Sequence, residues 1–105
     1  MRKYTWVVAS CCSETAGICL VKFTGTAEEI KEELMALIKG DVENNRKYYF
    51  ERTMETKDLV DVYGNELEFL GYNMYSDEND NRWHIEYTAK RIDTLNEVAL
   101  SRREI

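Results

Sequence analysis

The ten residues at positions 82–91, R-W-H-I-E-Y-T-A-K-R, constrain this chain more than any others. Trp83, Ile85, Tyr87 and Ala89 alternate with His84, Glu86, Thr88 and Lys90. Successive side chains on a strand point to opposite faces, so this alternation predicts a half-buried strand with one wet face. Trp, Ile, Tyr and Thr are also residue types that strands favour. Residues 67–75 read as a second strand. The polar run at 76–81 joins the two as an antiparallel hairpin, on whose apolar side the rest of the chain must pack.

The earlier part of the chain supplies the partners. Residues 4–12 read as a strand with two largely apolar faces, which predicts a central position in the sheet. Residues 13–17 form a turn and 18–24 a further strand, making a hairpin in which Cys12 opposite Ile18 would place Cys11 opposite Cys19. Thr26 and Glu29 have the spacing of a capping box, and Ile30, Leu34, Leu37 and Ile38 follow as one apolar helical stripe. Gly40 is expected to weaken or end that helix. Residues 48–53 read as another strand. Residues 54–65 allow two readings, a short helix from Thr56 to Tyr63 or a strand over 59–63. A second capping box, Thr94 to Glu97, predicts a short C-terminal helix carrying Leu95, Val98 and Ala99.

Hairpins dominate this order and no strand–helix–strand repeat occurs. The expected class is therefore α+β: an antiparallel sheet of four to five strands, one main helix on one face and a short C-terminal helix. At 105 residues it is read as a single domain, 1–105.

The net charge of −6 is concentrated in one segment. Residues 55–86 hold nine acids against Lys57 and Arg82, so that segment nets −7 and the remainder +1. Such a surface repels nucleic acid and attracts basic surfaces. No run of apolar residues is long enough to span a membrane. The tetrad Val8-Ala9-Ser10-Cys11 has the look of a bacterial lipoprotein cleavage box, but the apolar run there covers only residues 4–9, which suits a strand better than a leader. Three cysteines in such a chain fit a reduced, cytoplasmic setting.

Reactive constellations are sparse. Cys11, Cys19 and His84 are the residues on which a thiol- or metal-dependent activity would rest, with a Cys11–Cys19 disulfide as another use of the thiols. Zinc asks for four N or S ligands, and adjacent Cys11 and Cys12 on a strand point to opposite faces. Asp77, Asn79 and Asn81 have the D-x-N-x-N spacing of a calcium loop. Arg82 and Thr88 stand where that loop needs Gly and Glu. No phosphate-binding or nucleophile-elbow motif occurs. No catalytic residue, metal or cofactor is therefore expected.

Three segments carry a resemblance. F-T-G-T-A-E-E-I-K at 23–31, and G-Y-N-M-Y-S-D at 71–77 with H-I-E-Y-T-A at 84–89, resemble small uncharacterised proteins of bacterial genomes and mobile elements. These carry a strand–G-T-x-E-E–helix unit, then a Tyr-rich strand and an H-I-[DE]-Y-T-A strand. The resemblance implies no activity or site. By analogy, the acidic middle also fits a phage-type inhibitor seated on the nucleic-acid channel of a host enzyme.

The functional expectation is a non-enzymatic, acidic interaction module that binds a basic surface of a protein partner. Glu66, Glu68, Tyr75, Asp77, Glu78 and Asp80 are the expected contact residues. Self-association through a sheet edge or face, as a homodimer, is the further alternative.

Overall fold

Thr26 starts a long helix. Its hydroxyl accepts from the Glu29 backbone N–H at 3.2 Å, and the Glu29 carboxylate accepts from the Thr26 N–H at 3.0 Å, completing the predicted capping box. The structure is a computed structural model that describes residues 2–14, 16–45, 48–50 and 54–94. Its elements are strands β1 (Tyr4–Cys12) and β2 (Cys19–Gly25), helix α1 (Ala27–Asn44), and strands β3 (Tyr49–Phe50), β4 (Val60–Asp61), β5 (Glu68–Ser76) and β6 (Arg82–Arg91). Single 3-10 turns occupy Thr56–Asp58 and Ile92–Thr94.

All six strands join one antiparallel sheet in the order β2-β1-β6-β5-β3, with β4 also paired to β5. The α+β class holds, and β1 is interior as its two apolar faces required. Residues 54–65 contain both a 3-10 turn and a two-residue strand, so each alternative holds in part. The strand expected over 48–53 is described only as β3, and the C-terminal helix expected after Thr94 lies outside the described residues.

α1 lies on the face that carries Trp6 and Val8 of β1, Phe69 of β5, and Tyr87 and Ala89 of β6, all buried. It contributes Ile30, Leu34, Met35 and Ile38. Removing each such side chain from water contributes roughly 1.5–3 kcal/mol. Ala89 is small enough that Trp6 and Phe69 stack beside it, with centroids 5.8 Å apart. The Trp6 indole N–H donates to the Gly25 carbonyl at 3.1 Å, so the ring is buried with its polar atom paired.

Of the two outcomes expected at Gly40 the structure leaves one, a helix that continues, and one other expectation is corrected. α1 runs through Gly40 to Asn44. A glycine inside a helix costs about 1 kcal/mol, and the last turn is held by tertiary contact, since Asp41 accepts a hydrogen bond from Tyr87. The first hairpin also pairs Ser10 with Cys19, not Cys11. That one-residue difference places Cys11 and Cys19 on opposite faces of the sheet.

Two glycines should respond oppositely to substitution. A methyl at Gly71 would lie 2.8 Å from both Ile38 Cδ1 and Leu59 Cδ2, while one at Gly40 meets nothing within 4 Å. In urea melts, Gly71→Ala should destabilise by about 1–3 kcal/mol. Gly40→Ala should stabilise by roughly 0.5–1 kcal/mol.

Candidate functional site

The β1–β2 connection and the β5–β6 turn lie at the same end of the sheet. The Ser13 N–H donates to the His84 carbonyl at 2.9 Å, and the His84 N–H donates to Ser13 Oγ at 3.0 Å. These bonds tie the start of one loop to the start of β6. Between the loops is a cleft of about 500 Å³ lined by Glu14, Tyr48, Asp77, Arg82 and Trp83, with Cys12 and Asn81. Its floor is aromatic. Tyr48 meets Trp83 edge-on with centroids 4.8 Å apart, and Trp83 stacks on Tyr75 at 5.9 Å.

The acidic wall is rigid. Asp77 Oδ1 accepts from the Asn79 N–H at 2.9 Å and the Asn81 N–H at 3.0 Å, while Oδ2 accepts from the Asn81 side-chain amide at 3.0 Å. The Asn81 side chain first, then its backbone N–H and that of Asn79, hold the Asp77 carboxyl below the usual carboxylate range. The D-x-N-x-N spacing thus describes a self-capped turn in which Asn79 and Asn81 serve Asp77. Asp80 takes φ +60°, which Asp tolerates, and carries an ion pair with Arg82 at 3.5 Å. Among the described residues, Glu14, Asp77, Glu78 and Asp80 gather here against Arg82. Arg46 and Lys47 lie outside the described residues.

The six expected contact residues do not form one patch. Tyr75 is only 1% exposed and supports the cleft from beneath. Glu66 and Glu68 lie at the far end of β5 from Asp77, Glu78 and Asp80, and a nine-residue strand is roughly 30 Å long. Glu66 is not on the strand with Glu68. It sits in a turn at φ +58°, where the Asp61 carboxylate accepts the N–H groups of Gly64 and Glu66. Glu68 is paired with Lys90 at 3.9 Å. Sequence reasoning missed Glu14, Tyr48 and Trp83 as one group. The only signal was that the turns at 13–17 and 76–81 end neighbouring hairpins.

The sheet separates the thiol and imidazole candidates. His84 and Cys11 are on the open face, and Cys19 and Cys12 on the helix face. His84 Nε2 lies 3.6 Å from Glu86 Oε1. All three thiols are free. Among the described residues, no three His, Cys, Asp or Glu side chains are grouped to hold a metal ion. No described helix is long and apolar enough to cross a membrane.

Behind the cleft, a polar cluster fastens α1 to the sheet. The Tyr87 hydroxyl donates to Asp41 and accepts from the Asn73 side-chain amide at 3.1 Å. That amide also donates to the Ile38 carbonyl at 3.2 Å and to the Tyr75 hydroxyl at 3.3 Å. Asn73 is fully buried, and its Oδ1 has no partner among the described residues. Burial first, then the hydrogen bond to Asp41 and that group's charge, push the Tyr87 hydroxyl well above its ordinary pKa. Burial raises Tyr75 as well.

No protein-family model, curated protein or solved structure matches this chain, so a functional reading must rest on its own residues.

The two raised tyrosines set an alkaline limit on stability. A phenol whose folded pKa lies above the unfolded value near 10 keeps its proton in the fold after the unfolded chain has lost it. Stability should be complete below about pH 10 and fall as pH rises further. Tyr87→Phe should flatten that fall in melts taken between about pH 9 and pH 11. At neutral pH it should cost roughly 1–3 kcal/mol, because Asp41 loses its donor and Asn73 an acceptor.

Proposed function

We propose that this protein is a non-enzymatic interaction module whose acidic end binds a basic surface of a protein partner. The cleft between the two hairpin ends takes one lysine or arginine side chain. The carrying observation is that Glu14 and Asp77, 63 positions apart in sequence, line one cleft with an aromatic floor. A lysine or arginine side chain is apolar along its stem and charged at its tip. Tyr48 and Trp83 match the stem, and the two carboxylates match the tip.

Asp77 suits this role because it stays ionised and its turn is preorganised, so little ordering is needed on binding. Glu78 and Asp80 extend the negative field beyond the cleft, and a field of this sign speeds encounter with a cationic partner. Glu66 and Glu68 drop out of the contact set, one in a distant turn and the other already paired. Tyr75 acts only as a support for Trp83. The basic channel of a nucleic-acid enzyme is one surface of the required chemistry, in keeping with the analogy to a phage-type inhibitor. The cytoplasmic setting belongs to the same proposal.

Fluorescence gives a direct test, since Trp6 is buried and Trp83 lines the cleft. Titration with a lysine- and arginine-rich peptide should change the emission of Trp83, and a glutamate-rich peptide should not. Affinity should fall as salt rises, because paired surface charges are screened. Glu14→Gln and Asp77→Asn should each weaken binding by roughly threefold to tenfold. Binding that ignores both salt and these changes would remove the proposal.

A further inference from the structure

The face of the sheet opposite α1 has an order that no single strand reveals. The cross-strand register places Leu20, Ala9, Thr88, Leu70 and Val60 side by side on β2, β1, β6, β5 and β4. This row runs across the strands and is apolar except for a threonine. The next row on one side contains Lys22, Val7, Lys90 and Glu68. The next row on the other side contains Cys11, Glu86 and Tyr72. No described element packs over this face. Leu20 is 67% exposed and Val60 49%.

We propose that this open face binds a second copy of the chain, with a two-fold axis along the Leu20–Val60 row. Two sheets pack face to face at a separation of ~10 Å. Rotation about that row lays each of its residues over its own counterpart, so Leu20, Leu70 and Val60 meet their equals. It also lays Lys90 over Glu86 of the second copy and Glu86 over its Lys90, twice in one dimer. Glu68 falls over Tyr72, whose hydroxyl is a hydrogen-bond donor. No charged residue of this face falls on a like charge. Glu86 is 54% exposed and Lys90 35% at their side chains, so both have surface left to give. An isologous interface requires such self-complementarity.

The edge of the sheet is a poorer meeting point. β2 carries Lys22 at its centre, and a charge there discourages edge-to-edge pairing. The open face spans roughly 20 Å across the strands by about 30 Å along them, which puts the dimer near the lower bound of about 1,200 Å² buried in a specific interface. Association is therefore concentration-dependent. The proposal is independent of the basic-partner reading, because the cleft lies at the end of the sheet. The two-fold turns the copies end for end, leaving two clefts facing opposite ways.

Sedimentation velocity of the whole chain from about 10 µM to about 1 mM tests this, with circular dichroism melts to confirm folding. The expected result is a monomer–dimer equilibrium that Thr88→Arg abolishes, since the two arginines would meet at the axis. Glu86→Lys should weaken the dimer by about tenfold. The swap of Glu86→Lys with Lys90→Glu should restore it. A monomer throughout, a dimer indifferent to Thr88→Arg, or a swap that fails to restore association would each overturn the proposal. Peptide binding at the cleft is read separately by Trp83 and should survive Thr88→Arg.

Discussion

One long helix seals one face of this sheet, and among the described residues nothing seals the other. That imbalance governs the rest of the molecule. On the sealed face, size decides what is tolerated: Gly71 admits Ile38 and Leu59, and Ala89 leaves room for Trp6 beside Phe69. On the open face, exposure decides. Threonine, lysine and glutamate alternate with leucine and tyrosine, which is the compromise a half-solvated surface requires. β6 belongs to both at once, through Tyr87 and Ala89 on one side and Glu86, Thr88 and Lys90 on the other.

The helix is held by more than apolar packing. Tyr87 joins Asp41 of α1 to Asn73 of β5, and Asn73 reaches back to the carbonyl of Ile38. A cluster of this kind is directional, whereas hydrophobic contact is not. It sets how α1 lies along the sheet. It also accounts for the last turn of the helix, which continues past a glycine to bring Asp41 within reach. Asn73 Oδ1, without a partner among the described residues, is a cost borne inside the same cluster.

The cleft and the open face are two different kinds of surface. The cleft is small and acidic, with a turn already stiffened by Asp77. The open face is broad and balanced in charge, with an apolar row through its middle. Much of the acidity is elsewhere employed. Asp61 closes a turn, Glu29 caps a helix and Glu68 pairs with Lys90. A count of acids along the sequence therefore overstates the charge available to a partner.

Local rules made several features readable in advance. The alternation at 82–91 and the capping box at Thr26 act within a few residues, so hairpin, helix start and α+β class were all legible. Met35 was not, because a stripe marks a helical face without marking its width. Nor was the register of the first hairpin, where one residue separates a facing Cys11–Cys19 pair from thiols on opposite faces. Turn composition tolerates either spacing, and the packing of Phe23 against the core on the helix side selects between them. By itself, then, the sequence determined which segments alternate, where the helix begins and where charge is concentrated. Only the tertiary structure decided that Glu14 meets Asp77 across one cleft, that Tyr75 is inside, and that five strands align their residues into one apolar row. Those relations depend on strand order and register, which arise from contacts between segments far apart in the chain.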